Sequence, residues 1–384
     1  MLYWGSGFLI WVLLGQLWTV LFRRPLIEDE RLPFICVIPI TYTTRTYYDI
    51  DPQTNKSRLF SLKGTNQKIF WIFFVGGLIG SIMPFIREII PALPGEISGV
   101  WGSVWFDYSP YTRDALPGAQ IAGWLDNVMW PSFVFLSFDV LLSFLIAWIA
   151  FGIIVPVILV RTGAAPCEVG VETYTSWYFG WRRPFHYAFF AMTGMVIGIG
   201  IWTMYLARNH IIRAFKAISS LWKGKESEYY DQDLPLGKIA LGIVVFSMAM
   251  LVFWTASGIP FIIAFAELIL FTLFASCTTR VCAEYSIFPP VGIYVTQPTL
   301  YSIGVLSGAW SSAPTTNPAA VRALVLDEIP HGWGRAYMTG APDYTLYQYK
   351  IADSTKTRVS DIFKMTTVMT VLATVSAYVI IVWW

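Results

Sequence analysis

Charge is what this chain has least of. Asp, Glu, Lys and Arg together make up 13% of its 384 residues, about half the share a soluble domain carries. So few charges cannot coat a water-exposed surface of this size, which makes the chain an integral membrane protein. The net charge of +2 comes without any basic block interleaved with aromatics, so nucleic acid is not an expected partner. Cysteine is scarce as well. Cys36, Cys167, Cys277 and Cys282 form no CxxC pair and have no spaced histidines around them, which argues against a zinc or iron-sulfur centre. His186, His210 and His331 fall near predicted membrane edges or in loops, whereas haem held between facing helices needs histidines inside the spans. G-x-S-x-G, H-E-x-x-H and Walker sequences are lacking too, so hydrolase, zinc-protease and ATPase chemistry have no reacting groups here. The chain reads as a non-enzyme without a cofactor or metal.

What is abundant is apolar length: 56% of the residues are hydrophobic and 17% aromatic. Windows long enough to cross a bilayer, about 20 residues each, occur at 2–22, 69–86, 131–160, 187–207, 239–257, 260–277 and 365–384. The predicted fold class is therefore all-α, a polytopic transmembrane helix bundle forming one integral membrane domain with about seven spans. The first window lacks the positive n-region and small-residue cleavage site of a signal peptide and reads as a retained helix. Arg23, Arg24, Arg87, Arg161, Arg208 and the closing Trp383 and Trp384 flank these windows as interfacial anchors. Orientation is left open by charge, because the two most basic segments, 23–68 and 208–238, are separated by an odd number of predicted crossings. Gly194 and Gly198, four apart in the fourth window, predict a close approach of two helix backbones.

Against this apolar background a few charges stand out. An ionisable group inside a span costs a few kcal/mol, on the order of +2.5–3.5 by insertion scales, and faces protein or water. Asp139 in SFDVLLSF and Glu267 in AFAELILF are such groups. Each fits a proton or cation site; each also fits a structural hydrogen bond, and Asp139 lies near a window's end where water reaches it. Arg280 and Glu284 sit four residues apart at the end of the sixth window, on one helical face where they can pair. Such a pair serves either binding or structure. Pro289 and Pro290 then stop the helix, and with Gly292 they open a broken segment across 286–310. Broken backbone at membrane depth survives only against protein or a water-filled cavity, and transporters build binding sites from it; the other reading is an amphipathic loop on the surface.

In order along the chain, EDERLPF (28–34), KIFWIFF at the start of the second span, LPGAQIA (116–122) and SFDVLLSF (137–144) come first. LARNHIIRAFKAI, YYDQDLPLGKIALG and the R-x-x-A-E element of Arg280, Ala283 and Glu284 follow. Together they resemble the middle and C-terminal portion of the oligopeptide transporter (OPT) superfamily, in its prokaryotic OPT-like branch. The resemblance implies a secondary transporter of peptides or a metal chelate, coupled to protons or cations and placed in the plasma membrane. Asp139, Glu267, Arg280 and Glu284 would be its substrate- or ion-binding residues. Family members place a glycine and a proline close behind A-E; this chain has Tyr285, Ser286, Ile287 and Phe288 before Pro289. Against the family's complement the early spans are missing, so the chain is expected to be the C-terminal part of a split transporter, surrounded by membrane lipid and completed by a partner chain or by a homo-oligomer. The alternative is a non-transporting structural subunit of a larger membrane complex.

Overall fold

A computed structural model describes residues 2–34, 37–61 apart from 53, 64–78 apart from 73 and 77, 104–125 apart from 113 and 120, and 138–164. It further describes 187–223, 230–285, 299–309 apart from 301, 318–323 apart from 320, and 336–383. Among the described residues the longer helices are α1 (Leu2–Arg24), α2 (Val37–Tyr48), α3 (Phe138–Arg161), α4 (Tyr187–Leu206), α5 (Arg208–Trp222), α6 (Leu236–Ala256), α7 (Phe261–Tyr285), α8 (Ala336–Thr355) and α9 (Val359–Trp383). Three short antiparallel ribbons accompany them: β1 (Ile50–Asp51) with β2 (Lys56–Ser57), β3 (Val104–Asp107) with β4 (Ala122–Leu125), and β5 (Tyr230–Asp231) with β6 (Leu234–Pro235). The all-α expectation holds in its coarse form. The expected count of about seven spans is not confirmed. Among the described residues five helices are long and apolar enough to cross a membrane: Gly5–Asp29, Phe138–Arg161, Leu236–Ala256, Phe261–Glu284 and Val359–Ser376. The second predicted window lies only partly within the described residues, and the fourth, 187–207, coincides with the 20-residue α4, of which Thr193–Leu206 is apolar.

The chain divides into two compact units, one of Met1–Val37 with Phe190–Trp384 and one of Ile38–Phe189. The first unit is built around α1, whose buried Trp11, Leu14, Leu17, Leu21 and Phe22 pack into one apolar core with residues of α6, α7 and α8. Side-chain pairs fix the helix directions. Gly7 lies against Phe253, Gly242 against Leu17, and Arg23 reaches Asp231 just ahead of α6, so α1 and α6 are antiparallel. Trp11 meets Phe271 at 4.5 Å and Glu30 meets Arg280 at 2.8 Å, so α1 and α7 run the same way.

The turn from α6 to α7 follows from four residues, Ser257-Gly258-Ile259-Pro260. Gly258 takes a positive φ of 82°, its amide bonds the Thr255 carbonyl, and the Ile259 amide reaches back to the Trp254 carbonyl. That is the Schellman arrangement, which satisfies the last carbonyls of a helix. Pro260 then starts α7, and its carbonyl accepts from Ile263 and Ala264; proline suits a helix start because that position's N–H would find no partner.

Close backbone approach on α4 is made by Gly200, not by the expected pair. A Cβ at Gly200 would stand 2.6 Å from the Leu273 carbonyl oxygen, whereas Gly194 and Gly198 face open space. The Gly200 carbonyl also accepts from the Ser276 hydroxyl at 3.3 Å. The spacing rule found the right helix but the wrong face, since only the third glycine of Gly194, Gly198 and Gly200 points at α7.

In the second unit α3 widens over Ile149–Ile154 into a π-type stretch ahead of Pro156. Proline donates no N–H and its ring crowds the carbonyl four residues earlier, so the helix loosens there. No residue of its first part, Phe138–Trp148, is buried.

Candidate functional site

Three of the segments that carried the resemblance meet at one end of the first unit. The end of α1 continues through a widened turn, Pro25–Asp29, into the irregular segment Glu30–Phe34. Arg23, 0% exposed, donates from Nη1 to Glu28 Oε1 at 2.7 Å and from Nη2 to Asp231 Oδ2 at 2.7 Å. Arg24 approaches the other oxygen of each carboxylate, Asp231 Oδ1 at 3.5 Å and Glu28 Oε2 at 3.8 Å. Gln232 adds a hydrogen bond to Glu28 at 2.8 Å. The two arginines and two carboxylates balance in charge, which is how a guanidinium tolerates full burial.

The β5–β6 ribbon delivers Asp231. Its two-residue turn needs positive φ, and Gln232 supplies 55°. The next turn residue, Asp233, accepts from the Ser360 amide at 3.0 Å and from the Ser360 hydroxyl. It thereby caps the N-terminus of α9, where amides are otherwise unsatisfied. Burial opposes ionisation of Asp233, but the Ser360 hydroxyl and amide prevail and hold its carboxyl below the ordinary value. His210 on α5 sits beside the same cluster. Burial pushes its imidazole below the ordinary value, Asp231 pulls the other way, and Arg24 adds to the depression.

A second group lies at the end of α7. Arg280 grips Glu30 with both Nη atoms, at 3.2 and 2.8 Å, and places Nε 2.8 Å from Glu284. The pairing of Arg280 with Glu284 expected from their spacing is formed; Glu30 is the partner that spacing does not reveal. The Phe34 amide donates to the Ala283 carbonyl at 3.0 Å, so EDERLPF is laid along the R-x-x-A-E turn. Arg31 and Phe34 both have positive φ, 54° and 47°. A bulky aromatic is rarely found there. Phe34 is held by that amide bond, by the Val37 amide on its carbonyl, and by full burial against Tyr347.

Glu267 occupies a different part of α7. At 1.5 Å per residue it lies about 9 Å inside the helix start and about 20 Å from Arg280. It is 0% exposed, within the Phe261–Glu284 span, one turn from the buried Ile263 and Phe271. Asp139 belongs to the other unit and is exposed in the first turn of α3, at the span end rather than its middle. Of the three candidates in the first unit, Arg280 and Glu284 are brought together and Glu267 stands apart along the same helix. Pro289, Pro290 and Gly292 lie outside the described residues; beyond them, 302–306 is helical.

Sequence reasoning missed Arg23. It reads as an interfacial anchor because arginines at span ends usually snorkel, and only the distant Asp231 makes it a buried ion pair. Among the described residues no group of His, Cys, Asp and Glu is placed to hold a metal. No curated protein and no solved structure matches the chain. The model of a family of unknown function, DUF6785, matches residues 1–384, and the chain belongs to that family.

Proposed function

We propose that the chain is the C-terminal part of a split OPT-like secondary transporter in the cell membrane, with Glu267 as the carboxylate that takes up and releases the coupling proton or cation. The observation that carries this reading is the complete burial of Glu267 inside an apolar span. An ionised carboxylate there is costly, so its charge state responds strongly to any nearby change in solvation. The meeting of EDERLPF, YYDQDLP and R-x-x-A-E at one end of the first unit adds support, because the elements shared in order along the chain are also neighbours in space. Peptides or metal chelates are the substrate classes, and the working assembly includes a further multispan chain or a second copy. Purified protein in liposomes carrying a pH-sensitive dye tests this. A peptide library or chelate mixture added outside should acidify the vesicle lumen, and Glu267→Gln should abolish this while the protein remains folded. Coupled uptake that survives Glu267→Gln removes the residue from the mechanism.

One observation favours a second reading, a non-transporting structural subunit. Arg280 is spent on two carboxylates at once, Glu30 and Glu284, which ties α7 to the chain after α1 and leaves it little freedom to hold a substrate. Isolation of the native complex separates the two readings: co-purifying redox or secretory subunits, with no uptake in liposomes, would establish the second.

A further inference from the structure

The first unit carries a groove of about 470 Å³ that the transport reading does not use. It runs along the seam of α6 and α7, between Ile243, Ser247 and Leu251 on one side and Phe265, Ile269 and Thr272 on the other. Along α6 that is a length of about 12 Å. Trp18 of α1 contributes to its lining, as do Met204 at the end of α4 and Phe215 of α5. The volume is that of a small-molecule site, but such sites offer several convergent polar groups. Here the lining is almost wholly apolar, and the Thr272 hydroxyl is already bonded to the Leu268 carbonyl at 2.9 Å. A peptide or a metal chelate would lose its hydration without replacement. A hydrocarbon chain would lose nothing.

The helix that supplies Phe215 to this lining has the opposite chemistry. Phe215 lies on α5, whose sequence RNHIIRAFKAISSLW contains no acidic residue. The helix buries Ala214, Ala217 and Ser220 and exposes Arg208, Arg213, Lys216 and, at its C-cap, Lys223. It packs on the first unit where Gly237, at the start of α6, lies against the Ala217 carbonyl, and its His210 sits in the field of Arg23, Arg24 and Asp231, at the end of α1. Arg208 also lies over the Tyr205 ring at 4.1 Å, and Tyr205 stacks on Trp202, an aromatic pair of the kind that marks the headgroup level. A basic amphipathic helix at that level attracts anionic lipid.

We infer that this is a binding site for an anionic phospholipid, with one acyl chain in the α6–α7 groove and the headgroup phosphate among the cations of α5. The groove supplies the apolar contact and α5 the charge selection; neither depends on whether the protein transports anything. An ordinary annular lipid would be held by the first alone, without regard to headgroup.

Native mass spectrometry of the full chain in detergent tests the assignment, with dioleoyl-phosphatidylglycerol and dioleoyl-phosphatidylcholine added in equal amount. The glycerol lipid should be retained preferentially. The preference should fall about fivefold for each cation removed in Arg208→Gln and Lys216→Gln, with phosphatidylcholine retention unchanged. Ser247→Phe, which fills the groove, should lower retention of both lipids, with the thermal midpoint confirming a folded protein. Dihexanoyl-phosphatidylglycerol gives a check free of mutation: its chains are too short to fill the groove, so it should compete poorly with the dioleoyl lipid. Equal retention of the two headgroups overturns the inference, as does full competition by the short-chain lipid. A dimer that Ser247→Phe dissociates, with no lipid retained, would instead assign the groove to a second copy of the chain.

Discussion

Two arginines hold the same end of the first unit together, and they do so under different conditions. Arg23 is completely buried between Glu28 and Asp231, whereas Arg280, 12% exposed, sits between Glu30 and Glu284, each 25% exposed. Both are paired with two carboxylates, so pairing alone does not distinguish them. Solvent does. A partly wet ion pair can fall back on water when a partner leaves, while a buried one leaves a charge stranded in low dielectric. Arg23 therefore serves the folding of the unit, whereas Arg280 lies closer to water, where the loss of one partner costs less.

Truncation tests this directly, and its largest effect belongs to the buried site. Arg23→Ala should destabilise the protein by about 3–5 kcal/mol, because Asp231 is left buried without its main partner. Denaturant unfolding in a fixed detergent reads it. Replacing both members of the pair, Arg23→Met with Asp231→Leu, should recover most of the loss, since an apolar pair of similar volume is commonly no worse than a buried ion pair. A double variant as unstable as the single one would mean that Arg23 acts through contacts other than its charge.

Arg280→Ala should cost less, about 1–3 kcal/mol, the range for charged hydrogen bonds left unmade. Arg280→Lys is the sharper variant. Lysine keeps the charge but cannot reproduce a two-pronged grip on Glu30 together with a third bond to Glu284, so it should recover only part of the loss. Stability equal to the parent would show that the geometry is immaterial and only the charge counts.

How much of this could be read from the sequence depends on the distance over which each feature is set. The apolar runs made α1, α6 and α7 legible, because a span is a local property of about 20 residues. The Arg280–Glu284 pair was legible for the same reason, being one helical turn. Glu30 and Asp231 were not: they meet their arginines across 250 and 208 residues, and nothing local says that a glutamate in EDERLPF and an aspartate in YYDQDLP belong at one end of the unit. Arg23 looked like an anchor for the same lack of long-range information. Glu267 was legible as an ionisable residue in an apolar run; that it is completely buried was not. The groove at the α6–α7 seam could not be foreseen, because its lining comes from five helices.

Below the ion pairs in expected effect stands Asp233, which links the ribbon to α9. Asp233→Ala should cost about 1 kcal/mol, as loss of a helix cap does. The pH dependence has a definite sign. The folded carboxyl sits below its ordinary value, so its contribution is fully present above about pH 4 and is lost as pH falls through the lower, folded value. The variant should therefore lose stability at neutral pH and converge with the parent in acid.

The smallest effect, and the most specific to the buried site, belongs to His210. Arg23, Arg24, Asp29 and Asp231 all act on it, yet burial dominates and holds the folded imidazole below its ordinary value. The folded state thus prefers the neutral ring. Stability is unaffected above about pH 6.5, declines as pH drops through that value, and levels off once pH passes below the folded one. His210→Gln removes the titration and should flatten this part of the profile without moving the acid loss caused by Asp233. Asp231→Asn supplies the converse: without the carboxylate that favours the charged ring, the imidazole should titrate lower still, which an NMR titration of the histidine ring reads. An imidazole unmoved by Asp231→Asn would place His210 outside the field of the Arg23 cluster, and the contrast between the two arginines would then rest on burial alone.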